Sequence, residues 1–92
     1  MKILAVCGMG LGTGLILRMQ AEKALKELGI QADLEVADIG TARALASTAD
    51  LIITSEELAQ QLVGVKPRIV TIKNFIDLRE MVTKLGGAID RS

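Results

Sequence analysis

One cysteine closes an unbroken apolar run, Ile3-Leu4-Ala5-Val6-Cys7, and alternate glycines follow it in Gly8-Met9-Gly10-Leu11-Gly12-Thr13-Gly14. A thiol between a buried strand and a helix N-terminus is placed for phosphate chemistry. The N–H groups of such a loop converge on one point, and the helix dipole favours an anion there. The same field favours thiolate over thiol, which predicts a Cys7 pKa below the free value of about 8.5. Alternate glycines suit a loop that must admit an anion better than they suit a helix or strand. The competing reading is that Cys7 is a small apolar residue in a core strand. Its place at the carboxyl end of the first strand, where ligands bind in open α/β sheets, puts the functional reading ahead.

Several chemistries can be tested on the loop directly. A dinucleotide fingerprint starting at Gly8 needs glycine at position 13, and one starting at Gly10 needs it at position 15; these are Thr13 and Leu15. A nucleotide P-loop ends in Gly-Lys-Ser/Thr, but no lysine occurs between Lys2 and Lys23. A cysteine phosphatase of the Cys-x5-Arg type grips the phosphoryl group with an arginine where this chain has Thr13, and the nearest arginine is Arg18. It also requires a carboxylic acid to protonate the leaving group; none is obvious, with Asp77 the remaining candidate. The chain has no histidine, so an imidazole must come from another protein; a Cys-His hydrolase built from this chain alone is excluded, and a Cys/His metal site is implausible with one cysteine. A loop that holds a phosphoryl group on sulfur, yet is poorly equipped to hydrolyse esters, suits a carrier.

The elements that position this loop alternate strand and helix throughout. Residues 2–6 are apolar apart from Lys2, as in a strand covered on both faces. A helix over 14–28 buries the stripe Leu17, Ala21, Ala24, Leu25 and Leu28, and Gly29 caps it. Residues 31–37 alternate, with Ala32, Leu34 and Val36 on one side and Asp33 and Glu35 on the other. A short helix over 41–48, a strand over 50–54, and a helix through Leu62 with a Thr54/Glu57 capping box come next. A mixed strand over 68–72 precedes a last helix capped by Asn74 and Asp77, with the stripe Phe75, Leu78, Val82 and Leu85, ended by Gly86-Gly87. The apolar first and third strands belong in the centre and the mixed second and fourth at the edges. Right-handed crossovers then give a Rossmann-like, three-layer α/β/α fold with a four-stranded parallel sheet in the order 2-1-3-4. The switch point between strands one and three puts Cys7 and Thr54-Ser55 at the crevice mouth.

At 92 residues the chain is one domain, spanning 1–92, with a single core. Half the residues are hydrophobic but Phe75 is the one aromatic, so the core is aliphatic. Eleven basic and eleven acidic residues cancel, and with no basic stripe or stacking platform a nucleic-acid partner is not expected. No stretch approaches membrane-spanning length and glycines end the N-terminal apolar run too early for a signal peptide, so a cytoplasmic protein is expected.

The motif Cys7-Gly8-Met9-Gly10-Leu11-Gly12-Thr13, after a short apolar strand, resembles the IIB components of the bacterial sugar phosphotransferase system. Within the lactose/galactitol/ascorbate group the resemblance is closest to the ascorbate-type branch, and it covers the whole chain in length and element order. It implies that Cys7 accepts a phosphoryl group from a phosphohistidine on a IIA component and passes it to a sugar, ascorbate or a related carbohydrate, bound by a membrane IIC component. It implies no cofactor, no metal, no insertion into the membrane, and a cytoplasmic protein associated peripherally with the permease. The phosphate cradle would be Gly8, Met9, Gly10, Leu11, Gly12, Thr13 and Gly14. Relatives commonly carry serine where this chain has Gly14, which leaves Thr13 as the side-chain hydroxyl of the cradle. Met9 and Leu11, extended by Ile16 and Met19, would form a docking surface, and Arg18 would attract the phosphorylated partner or stand solvated. Lys73 and Asn74 are expected to serve their turn rather than the phosphate. Two other classes stay open: a low-molecular-weight cysteine phosphatase-like enzyme, and a non-catalytic α/β module that binds a small anion.

Overall fold

A computed structural model of the chain describes residues 1–8 and 11–89, with residues 11–13 described by backbone only. Among them the order is β1 (Lys2–Val6), α1 (Leu11–Leu28), β2 (Asp33–Ala37), α2 (Ile39–Leu45), β3 (Leu51–Thr54), α3 (Glu56–Ala59), β4 (Arg68–Thr71) and α4 (Leu78–Ala88). Single 3-10 turns extend α2 through Ala46–Thr48 and α3 through Gln60–Leu62. The strands form one parallel sheet in the order β2-β1-β3-β4, as their apolar content predicts. β1 pairs from Lys2 with Asp33 to Val6 with Ala37 on one side, and from Ile3 with Leu51 to Ala5 with Ile53 on the other.

The two-residue period of the strands splits the core into two layers. Ile3, Ala5, Cys7, Leu51, Ile53, Val70 and Ile72 face α1 and α4, where they meet Leu17, Ala21, Ala24, Met81 and Leu85. Leu4, Val6, Ala37 and Ile52 face the other way, onto Ala42, Ala46 and Leu62. Burying each large aliphatic side chain stabilises the domain by about 1.5–3 kcal/mol. The first layer is the larger, so α1 and the strand that carries Cys7 are the best-anchored elements near the loop.

Local signals placed most boundaries. Gly29 ends α1 at φ +69°, with Gly29 N–H bonded to the Lys26 carbonyl at 3.1 Å and Ile30 N–H to the Leu25 carbonyl at 2.9 Å. These paired bonds satisfy carbonyls that the helix end would otherwise orphan. Five expectations need correction. Helix α1 begins at Leu11, not residue 14, so Leu11, Gly12 and Thr13 belong to its first turn. Thr54 does not cap α3: Ser55 does, accepting the Leu58 N–H at 3.3 Å, because Thr54 is still in β3 with its hydroxyl turned inward. Asp77 caps α4 by accepting the Glu80 N–H at 3.2 Å, whereas Asn74 closes the preceding turn and Phe75 lies before the helix. Met81, absent from the expected stripe, is fully buried at its centre. Gly86-Gly87 do not end α4, which runs on to Ala88. A Cβ at position 86 would stand 3.2 Å from the Leu28 Cδ2, so glycine there lets α4 lie close against α1.

Candidate functional site

Cys7 is the residue immediately after β1, and strand alternation turns it toward the α1 layer, where it is 6% exposed. Its N–H donates to the Ala37 carbonyl of β2 at 3.1 Å, which fixes the backbone as it leaves the sheet. From β3, the Thr54 hydroxyl donates to the Val6 carbonyl at 2.8 Å. The thiol faces the first turn of α1: a Cβ at position 14 would lie 3.8 Å from Cys7 Sγ and 3.3 Å from Val36 Cγ1. Gly14 therefore keeps open a space beside the sulfur that a serine would narrow. For the same reason Val36, which alternation assigns to the covered side of β2, is 37% exposed.

That space continues into an open cleft of about 810 Å³ whose lining includes Cys7, Gly8, Gly14, Arg18, Val36 and Asp38. Of the expected site residues, Cys7, Gly8 and Gly14 line this cleft. The backbone of Leu11, Gly12 and Thr13 supplies the first turn of α1, while Met9 and Gly10, and the side chains of Leu11 and Thr13, lie outside what the structure describes. The first N–H groups of an α-helix have no partner within it. The first turn of α1 holds no acidic residue, and the preceding position in the sequence is a glycine, which has no side chain to cap with. The other helices supply their own caps in Asp38, Ser55 and Asp77.

The expectation of a depressed Cys7 pKa is reversed: burial pushes the Cys7 thiol up. Taking the sulfur out of water penalises its charged form. At neutral pH the sulfur is therefore a protonated thiol facing the first turn of α1. Asp38, whose position between a strand and α2 is itself an N-cap signal, escaped the sequence reading. Its carboxylate accepts the Thr41 N–H at 2.7 Å, and this bond holds its pKa below the usual carboxylate range. Arg18 Nε lies 3.7 Å from Glu22 Oε2 with both side chains about half exposed, a pair of little energetic weight. Leu15 and Met19 are exposed on α1, Leu15 at the cleft itself. Lys73 and Asn74 serve their turn, donating their N–H groups to Glu80 at 2.7 and 3.0 Å. Among the described residues no His/Cys/Asp/Glu group could hold a metal ion, and no helix is long and apolar enough to cross a membrane.

Comparison with known proteins bears on the family and the fold. The family described as the lactose/cellobiose-specific IIB subunit of the PTS system matches residues 2–85. The ascorbate-specific PTS system EIIB component of Mycoplasma pneumoniae is 34% identical over 82 residues, covering 88% of this chain and 86% of the relative. That of Shigella sonnei is 31% identical over 85 residues, covering 91% and 84%. The lactose-specific IIB component domain from Streptococcus pneumoniae superimposes with a TM-score of 0.69 over 98% of both chains at 14% identity, a likeness of fold. With its parallel sheet, its thiol at the end of β1 and these relatives, the chain belongs to the IIB family of the sugar phosphotransferase system.

Proposed function

We propose that the chain is a phosphocysteine carrier, in which Cys7 Sγ takes a phosphoryl group from a phosphohistidine of a IIA component and hands it to a sugar held by a membrane IIC component. The observation that carries this reading is the pairing of Cys7 with the start of α1, which offers its first N–H groups to an incoming anion instead of to an acidic side chain of its own. In the first step sulfur attacks phosphorus and the N–P bond of the donor breaks. Because burial keeps Cys7 protonated, the departing imidazole is the natural acceptor of the thiol proton. In the second step a sugar hydroxyl attacks phosphorus, the S–P bond breaks, and the departing sulfur takes up the hydroxyl proton, which returns Cys7 to its resting thiol. Backbone amides from Gly8 to Gly14 form the cradle that spreads the phosphoryl charge. The names of the relatives favour ascorbate or a related carbohydrate as the acceptor. Such a carrier works in the cytoplasm against the face of its permease.

Two features weigh against a phosphatase. Position 13 is threonine, not the arginine that grips a transferring phosphoryl group. The carboxylate in the cleft, Asp38, is held ionised by the Thr41 N–H and is a poor acid for an ester leaving group. The test is a labelled-phosphate relay from phosphoenolpyruvate. Phosphoenolpyruvate alone should leave the chain unlabelled, because it has no histidine to start a relay. Enzyme I, the phosphocarrier protein and a matching IIA should put one label on sulfur, and Cys7→Ser should abolish it. Uptake by the Cys7→Ser protein at the wild-type rate would overturn the reading.

A further inference from the structure

Thr54 is the one polar side chain fully buried among the described residues. It ends the run Leu51-Ile52-Ile53-Thr54, and every other residue of β3 is aliphatic. Valine has the same shape and would continue that run, so packing alone gives no reason for a hydroxyl there. The hydroxyl is not idle: it donates to the Val6 carbonyl at 2.8 Å. That carbonyl belongs to the peptide joining Val6 to Cys7, and the N–H of the same peptide donates to the Ala37 carbonyl at 3.1 Å. A single peptide unit is thus held from β3 on one side and from β2 on the other, at the point where β1 releases the thiol. Thr54 is itself fixed, since its own carbonyl accepts the Ile72 N–H at 2.8 Å.

We infer that Thr54 is a positioning residue for Cys7, acting through the Val6–Cys7 peptide without touching the phosphoryl group. The inference rests on the reading of Cys7 as the phosphoryl acceptor. Two effects follow from the bond. The peptide plane cannot rotate, so the Cα–Cβ vector of Cys7 stays aimed at the first turn of α1, and reactions of positioned groups lose rate steeply when geometry loosens. Donation to the carbonyl also draws electron density from the peptide, which makes the Cys7 environment more favourable to thiolate.

Thr54→Val removes the hydroxyl at constant shape, and Thr54→Ser restores it with less bulk. In the full chain, Thr54→Val should lower kcat for phosphoryl uptake from phosphorylated IIA about tenfold, a loss of about 1.4 kcal/mol in the barrier, with KM for the donor unchanged. It should also move the pH midpoint of Cys7 alkylation by iodoacetamide upward, and Thr54→Ser should return both readouts to within about twofold of wild type. A Thr54→Val protein that melts earlier but keeps the wild-type kcat and alkylation profile would overturn the inference, as would failure of serine to restore them. Alkylation needs no phosphoryl donor, so it reports on the clamp even if wild-type chain takes up no phosphate, the result that instead sinks the carrier reading. A third measurement needs no variant: in wild-type protein the Thr54 hydroxyl proton should exchange slowly with water and couple to the Val6 carbonyl carbon by NMR. Rapid exchange of that proton would overturn the inference.

Discussion

The starts of α1 and α4 follow strands of the same parallel sheet and are built in opposite ways. At α4 most of the nearby donors are answered from within the chain. Asp77 accepts the Glu80 N–H, Glu80 turns back to accept those of Lys73 and Asn74, and Asn74 Oδ1 accepts the Ile76 N–H at 3.1 Å. Lys84 reaches the same cluster, with Nζ 3.2 Å from Glu80 Oε2. At α1 the first turn is Leu11-Gly12-Thr13-Gly14, without an acid, and the thiol beside it is uncharged at rest. A helix start that caps itself stabilises the fold but has nothing left for a ligand. One left uncapped forgoes that stability and gains an anion site that an arriving phosphoryl group can satisfy.

The difference can be broken most sharply by closing the open start. Gly12→Asp puts a carboxylate into the first turn of α1, where it competes for the first N–H groups and repels phosphate. Phosphoryl uptake from phosphorylated IIA should fall about tenfold or more, while thermal stability stays level or rises, since an acid in the first turn is worth about 0.3–1 kcal/mol. Undiminished uptake would remove the start of α1 from the site.

Opening the closed start should give the reverse. Asp77→Ala removes the α4 cap and should cost about 1 kcal/mol in denaturant unfolding, with phosphoryl uptake unchanged. Loss of uptake without loss of stability would mean that α4 takes part in the chemistry.

The smallest effect is in the acid range. Hydrogen bonds from the Lys73 and Asn74 amides, led by Lys73, hold the Glu80 pKa below its ordinary value, and its side chain is 16% exposed. A carboxylate with a depressed folded pKa stabilises the protein fully above the unfolded value, about 4.3, and loses that contribution as pH falls through the folded one. The melting temperature of Glu80→Gln should therefore lie below wild type at neutral pH and converge with it as pH drops below about 4. A gap that persists unchanged into acid would show that the carboxylate charge is not what holds the turn.

The contrast between the two starts was only partly legible in the residues. The lack of an acid in the loop before and at the start of α1 can be read from Gly8 to Gly14, and the Asp77 cap from its place before an amphipathic stripe. Glu80 reaching back to the turn could not be read, because that contact depends on where β4 delivers the chain. The same limit explains the helix boundary at Leu11. Glycines at alternate positions argue for a loop, yet packing of Leu17, Ala21 and Ala24 against the sheet extends the helix back over them.

By itself the sequence determined the alternation of strands and helices, the parallel order 2-1-3-4, the Gly29 cap, and the placing of the lone cysteine at the carboxyl end of the first strand. These follow from hydrophobic period, apolar content and capping chemistry, which are written within a few residues of one another. Only the tertiary structure decided that Gly86 belongs inside α4, that the Thr54 hydroxyl turns inward to Val6, and that burial leaves Cys7 protonated. Each of these depends on what a distant part of the chain presses against the residue: Leu28 against Gly86, β1 against Thr54, and α1 with β2 against the thiol. A pKa or a close approach is a property of that surrounding, and the surrounding exists only once the chain has folded.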